Sequence, residues 1–176
     1  MRRTLIVQVI SFVVVVAAAA GAQQAPPPAS KPCTAPAYRG FDFWLGDWDV
    51  TTPDGRPAGS NRIESVLGGC ALLEHWEGRG GGAGKSLTLY VAADRQWNQT
   101  WVDAGGNRSV LTGGLEGSRM VLRNAWTSAE GALMRSELSW TPQPDGTVRQ
   151  VWRQSSDDGR TYQTTFDGIY RRRGPR

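Results

Sequence analysis

The segment Trp97-Asn98-Gln99-Thr100-Trp101 constrains the fold more than any other part of this 176-residue chain. Residues two apart on a β-strand point to the same face. A strand here carries two indoles with an amide between them on one side. Leu72, Glu74 and Trp76 repeat the pattern, and so do Gln150 and Trp152. The chain holds eight tryptophans, most of them in such alternating stretches. A plain core face is apolar throughout, because burying an unpaired polar group costs free energy. An aromatic face interrupted by Gln and Glu is the pattern of an inner barrel wall that faces a ligand.

Helical spacing is confined to residues 38–46, where Phe41, Trp44 and Leu45 suit one short turn that closes a barrel end. Strands are predicted near 48–52, 61–67, 71–77, 86–92, 97–103, 108–113, 119–125, 133–141, 148–155 and 161–170. The intervals carry Asp54-Gly55, Gly68-Gly69, Gly105-Gly106, Asp145-Gly146 and Asp158-Gly159, pairs that tolerate positive φ in tight turns. The chain is therefore all-β. About ten strands joined by short turns favour an antiparallel up-and-down β-barrel, since closure removes exposed sheet edges. A two-sheet sandwich is the competing arrangement that the same turns allow. A barrel of eight to ten strands has room for side chains or for one small ligand.

Parity assigns the faces. Leu87, Leu89 and Val91 share one, Met120, Leu122, Asn124 and Trp126 another, and Met134, Ser136, Leu138 and Trp140 a third. Tyr162, Thr164 and Phe166 share a face that continues to Tyr170. On this reading the apolar faces point inward, with Glu74, Gln99, Asn124, Ser136 and Gln150 as scattered polar points. Arg119, Arg123, Arg135, Glu137, Arg149, Arg153, Gln163 and Asp167 suit solvent.

The ends read differently from the body. Arg2 and Arg3 precede an almost wholly apolar run from Leu5 to Ala20, and Ala20-Gly21-Ala22 supplies small residues for a signal peptidase. Residues 1–22 are read as a signal peptide and 23–37 as a Pro/Ala-rich tether. The barrel domain occupies 38–170 and a basic tail 171–176. The formal charge of +4 falls to +2 without Arg2 and Arg3, and to −2 when the four arginines of the tail are also set aside. The body is thus near neutral and gives no reason to expect nucleic acid as a partner. The apolar run is short for a membrane anchor, so no stable span is expected after cleavage, and the protein is expected to be periplasmic or secreted. Cys33 and Cys70 are the only cysteines, and an even count in an exported chain suggests a disulfide between them.

Several blocks carry a family resemblance. Phe41-Asp-Phe-Trp-Leu-Gly-Asp-Trp-Asp-Val50 resembles the opening of a family of exported bacterial proteins of unknown function. Gly69-Cys-Ala-Leu-Leu-Glu-His-Trp76 is similar to its second block. Gly84-Lys-Ser-Leu-Thr-Leu-Tyr90 and Trp97-Asn-Gln-Thr-Trp-Val-Asp103 are similar to its third. The resemblance covers most of 41–170. It implies a calycin-like barrel, of the shape of lipocalins and fatty-acid-binding proteins, and no defined activity. Phe43-Trp44-Leu-Gly-Asp-Trp48 also resembles haem barrels of the nitrobindin kind, which use a late histidine as iron ligand. This chain has no histidine after His75, so haem is not carried over and no cofactor is expected.

Catalytic signatures are sparse. His75, the only histidine, sits on the strand face opposite Glu74 and lacks the partners of a triad or a zinc site, so no metal is expected. Gly84-Lys85-Ser86 follows a glycine run but precedes a strand, whereas a phosphate loop precedes a helix. Ser155-Ser-Asp157-Asp-Gly159-Arg-Thr161-Tyr162 resembles the Asp-box turn of sialidases, here a structural hairpin. The expected binding residues are Glu74, Trp76, Gln99, Trp101, Ser136, Trp140, Gln150 and Trp152, and the expected ligand is a small, largely apolar molecule. Glu74 has two further readings: a buried group satisfied by its neighbours, or the general acid/base of a hydrolase or isomerase. A packed barrel that binds a partner on its surface is the third possibility, and a cavity below roughly 300 Å³ suits packing alone. The cleavage site predicts an exported protein that begins at Gln23. Intact-mass measurement of exported protein checks this, and a mass retaining residues 1–22 contradicts it.

Overall fold

The computed structural model describes residues 32–174. The expected signal peptide, most of the tether and the last two residues of the tail lie outside that range. The described chain is a closed, antiparallel ring of ten strands in which every strand pairs with its sequence neighbours and the last pairs with the first. The strands are β1 (Gly46–Thr51), β2 (Pro57–Val66), β3 (Ala71–Gly78), β4 (Ala83–Val91), β5 (Gln96–Asp103), β6 (Arg108–Glu116), β7 (Arg119–Thr127), β8 (Leu133–Pro142), β9 (Val148–Ser155) and β10 (Gln163–Arg172). This is the all-β, up-and-down barrel that the turn spacing predicts, and it is consistent with a calycin-like fold. β10 extends through Arg172, into the segment read as tail. Arg172 lies over the Trp48 ring, 4.4 Å from its centroid, and donates to the Leu45 carbonyl at 2.8 Å.

One end of the ring is plugged. A single α-helical turn, α1 (Pro36–Arg39), and a 3-10 turn over Asp42–Trp44 replace the one turn expected at 38–46. They carry Phe41 and Trp44 into the barrel. Phe41 stacks on Trp44 with centroids 4.9 Å apart and meets Trp140 edge-on at the same distance. Trp97 meets Phe41 edge-on at 5.8 Å. The plug joins a continuous buried core that includes Leu72, Leu111, Met120, Leu122 and Val148. The Trp48 indole donates to the Trp44 carbonyl at 2.9 Å, which ties the plug to β1.

Strand parity holds on β5, where Gln99 is 1% exposed and Val102 is 46% exposed. Two parity expectations fail. On β4 the interior face is Ser86, Thr88 and Tyr90, while Leu87, Leu89 and Val91 point outward; Thr88 is fully buried and Leu87 is 41% exposed. The reason lies across the hairpin: Ser86 stands opposite Glu74, and Thr88 opposite Leu72 and Gln99, on the inner face. On β10 the pairing with β9 slips between Thr164 and Phe166. That bulge reverses parity, so Phe166 and Tyr170 point inward and Tyr162 does not share their face. Tyr162 instead takes the Arg153 guanidinium over its ring at 5.5 Å.

The outer wall from β7 to β10 is held by ion pairs. Glu137 receives both Arg123 and Arg153, and Arg149 pairs with Asp167 at 2.6 Å. Burial acts to raise the Glu137 carboxyl, but its two arginines outweigh burial and hold it below its ordinary value. The last hairpin uses the Asp-box residues as a turn. Ser155 Oγ donates to Asp157 at 2.7 Å, and the Gly159 and Thr161 amides donate to Ser155 Oγ and Asp157 at 2.8 and 2.9 Å.

Cys33 and Cys70 are joined by a disulfide. Cys70 follows the 3-10 turn Leu67–Gly69 that links β2 to β3, so the bridge fastens the strap bearing Phe41 and Trp44. Closing a loop of this length contributes about 3–4 kcal/mol in the chain-entropy description. The double variant Cys33→Ser/Cys70→Ser is predicted to lose that amount in urea unfolding. An unchanged midpoint and slope, or two titratable thiols in the denatured but unreduced protein, would contradict it.

Candidate functional site

The end of the barrel opposite the plug holds a cavity of about 150 Å³ lined by Glu74, Trp76, Gln99, Trp101, Leu138, Gln150, Trp152, Phe166 and Tyr170. Its lining is graded by depth. Glu74, Gln99, Gln150, Leu138 and Tyr170 are buried, whereas Trp76, Trp101, Trp152 and Phe166 are half-buried. A polar floor therefore lies beneath an aromatic rim.

The rim has its own seats. Gly84 on β4 faces inward, and a β-carbon there would lie 2.2 Å from the Trp101 ring of β5. Gly59 on β2 gives the same space to Trp76 of β3, whose ring lies 2.8 Å from where its β-carbon would be. Each indole thus lies over a bare stretch of the neighbouring strand. Phe166 stands edge-on to Trp76, with centroids 5.7 Å apart and planes at 86°.

The floor is a connected hydrogen-bond network centred on Glu74. Asn61 Nδ2 of β2 donates to Glu74 Oε1 at 2.7 Å, and Ser86 Oγ of β4 donates to Oε2 at 2.6 Å. Gln99 Nε2 of β5 donates to Ser86 Oγ at 3.1 Å. Asn61 Nδ2 also reaches the Tyr170 hydroxyl at 3.3 Å, and that hydroxyl donates to Gln150 Oε1. Five strands thus converge on one carboxyl group. The network leaves Asn61 Oδ1, Gln99 Oε1 and the Trp152 indole nitrogen buried without a hydrogen-bond partner.

Burial dominates the electrostatics. It pushes the Glu74 pKa up from an ordinary 4.5 to about 7, and the Ser86 and Asn61 hydrogen bonds only partly offset it. Tyr170 is pushed well above its ordinary value by burial and by the nearby Glu74 charge, so it stays protonated. No basic side chain lines the cavity among the described residues.

Six of the eight residues expected to bind ligand line this one cavity: Glu74, Trp76, Gln99, Trp101, Gln150 and Trp152. Trp140 is not among them; it packs against Phe41 and Trp44 in the plug. Ser136 donates to Asn124 at 2.5 Å and lines a second recess, of about 350 Å³, with Trp126, Trp152 and Gln154. Asn61 and Ser86 were not anticipated. Ser86 was within reach of the sequence, because the β3–β4 hairpin register places it opposite Glu74. Asn61 stands out only once Ile63, two residues on, is placed opposite Glu74 on β2. His75 projects outward, 3.0 Å from Glu64 and 3.1 Å from Lys85 Nζ.

The volume is half of the roughly 300 Å³ below which a barrel interior suits packing alone, so size by itself places this cavity on the packed side. It cannot enclose a long acyl chain. It suffices for one ring, since an apolar cavity of about 150 Å³ holds a benzene molecule. No family model matches the chain, and no curated protein matches it.

Glu74 gives stability a definite pH dependence. The folded protein keeps this proton up to about pH 7, whereas the unfolded chain releases it near 4.5. The contribution is complete below pH 4.5 and is lost as pH rises through 7, with a total on the order of 3 kcal/mol. Glu74→Gln is predicted to flatten this segment of the stability–pH curve. Urea unfolding of both proteins from pH 4 to 8 measures it, and parallel curves would exclude Glu74 as the source.

Proposed function

We propose that this chain is an exported binding protein that takes a small, largely apolar molecule, or one ring-sized end of a longer one, into the open end of its barrel. The observation that supports this is the graded cavity: a buried polar floor with spare hydrogen-bonding capacity beneath half-exposed indoles. Gln99 lines this cavity and keeps a buried Oε1 without a partner, an arrangement that is costly until a ligand or water satisfies it. The binding set is Glu74, Trp76, Gln99, Trp101, Gln150 and Trp152, with Phe166 added. Export belongs to this reading through the N-terminal apolar run, and a periplasmic or secreted location agrees with the Cys33–Cys70 disulfide. So does the division into signal peptide 1–22, tether 23–37, barrel 38–170 and tail 171–176, and so does kinship with the exported family of unknown function.

One observation favours the hydrolase or isomerase alternative. A carboxyl with a pKa of about 7 is matched to general acid/base work at neutral pH. Tyr170 joins it only through Asn61 and stays protonated, so it would serve as a donor and not as a second base.

Tryptophan emission reports on the cavity directly, because three of its walls are indoles. Ring-sized apolar probes are predicted to shift or quench the emission of the full chain. Gln99→Leu is predicted to change probe preference at a cost of about 1 kcal/mol, because Ser86 loses the Gln99 donor but keeps its bond to Glu74. Trp101→Ala is predicted to weaken binding and to cost less than the about 3–5 kcal/mol of a core indole, because Trp101 is half-buried. A probe set without effect on emission, together with a Gln99→Leu variant that does not fold, would make the polar floor structural. Native mass spectrometry of protein purified from its own host identifies what co-purifies.

A further inference from the structure

We infer that the ligand is a small organic ammonium ion, its alkyl or ring part held by Trp76, Trp101, Trp152 and Phe166 and its N–H donated to Glu74 and Gln99 Oε1. This rests on the binding reading above and names the chemical class.

Three observations converge on it. Glu74 is a buried carboxyl without a protein cation: its partners are an amide and a hydroxyl, and no Lys or Arg lines the cavity among the described residues. Buried charges in proteins are ordinarily paired. Elsewhere this chain does pair a partly buried carboxylate, since Glu137 holds two arginines. At Glu74 the place of the counter-ion is open to the cavity. The second observation is the rim. Aromatic faces attract cations through the ring quadrupole, and desolvation strengthens the attraction. Trp76 and Phe166, at 86° to one another, give two perpendicular walls of such a cage. The third is Gln99, which lines the same cavity and whose buried Oε1 has no hydrogen-bond partner. An ammonium N–H satisfies it; an anion or a ligand with only acceptors does not.

The groups facing Glu74 agree with this assignment. β2, β4, β5 and β9 contribute Asn61, Ser86, Gln99 and Gln150, all neutral, and β10 contributes Tyr170, which remains protonated. His75 points away on the outer face of its strand. Glu74 is therefore the one group in the cavity whose charge changes near neutrality. An ammonium ion binds its ionised form, so binding is coupled to loss of the Glu74 proton.

The test compares cyclohexylammonium, cyclohexanol and cyclohexanecarboxylate, three probes of one size that differ in charge, by calorimetric titration of the full chain at pH 5 and pH 8. The expected order at pH 8 is cation, then neutral, then anion, with the cation at least tenfold tighter than the alcohol. The cation should weaken toward pH 5 by up to about 100-fold as Glu74 takes its proton, while the alcohol changes little. Glu74→Gln should abolish the preference. If that variant does not fold, Gln99→Leu and the pH profile of the unaltered chain decide. Cyclohexanol binding as tightly as the cation at pH 8 would overturn the ammonium assignment and leave the binding reading standing. Binding by none of the three, with no emission change from any apolar probe, would overturn both.

Discussion

The pairing of the first strand with the last, with Val50 opposite Tyr170 and Trp48 opposite Arg172, leaves the ten-stranded ring without an edge. Everything else in the molecule follows from that closure. A closed ring gives every strand one face turned toward a confined interior, which must be filled by side chains or left for something else. The sequence fills the two ends in opposite ways. At the plugged end Phe41, Trp44, Trp97 and Trp140 interlock as a buried aromatic cluster. At the open end the interior positions carry Glu, Gln, Ser and Asn, and the indoles are drawn aside over Gly59 and Gly84.

The two ends depend on one another through the strap. Segment 33–45 carries the plug, and the disulfide to Cys70 joins it to the β2–β3 connection, next to the strands that bear Asn61 and Glu74. The bridge and the buried plug restrict the strand ends from which the network residues extend. Such networks are costly when partly satisfied and specifying when complete. Here both Glu74 oxygens accept a hydrogen bond, while Asn61 Oδ1, Gln99 Oε1 and Trp152 Nε1 are left without partners.

Much of this was legible in the sequence, and the rest was hidden for specific physical reasons. Alternation of Trp97, Gln99 and Trp101 identified the inner wall because a strand's period of two is exact, and Asp-Gly and Gly-Gly pairs marked the turns that make the strands consecutive. β4 was misread because burial was inferred from hydrophobicity. Leu87, Leu89 and Val91 look like a core face, yet the interior on that strand is polar, and Ser86 and Thr88 are the residues that meet Glu74 and Gln99. The β10 bulge at Thr165 leaves no mark in composition, so Tyr162 and Phe166 appear to share a face that they do not share. Depth along the barrel axis was also invisible. Trp140 and Trp152 both point inward, and only the plug separates the one that packs against Phe41 from the one that borders the cavity.

The same interplay of strand register and burial explains how so simple a site carries specific chemistry. Each polar residue of the floor comes from a different strand, so none is next to another in sequence, and each would read alone as an isolated polar intrusion. Their adjacency is produced by hairpin register: Ser86 opposite Glu74, Thr88 opposite Gln99, Asn61 opposite Trp76. Their energetics are produced by burial, which makes the Glu74 carboxyl hold its proton to about pH 7 although two donors favour its ionised form. A carboxyl in that state is balanced between two compensations. It stays neutral when the cavity offers nothing, and it ionises when a cation supplies what the protein withholds. Adding a lysine or arginine to the floor would remove that balance by fixing the charge permanently, as Arg123 and Arg153 do for Glu137 on the outer wall. The absence of a basic residue among those lining the cavity is what leaves Glu74 responsive to whatever enters.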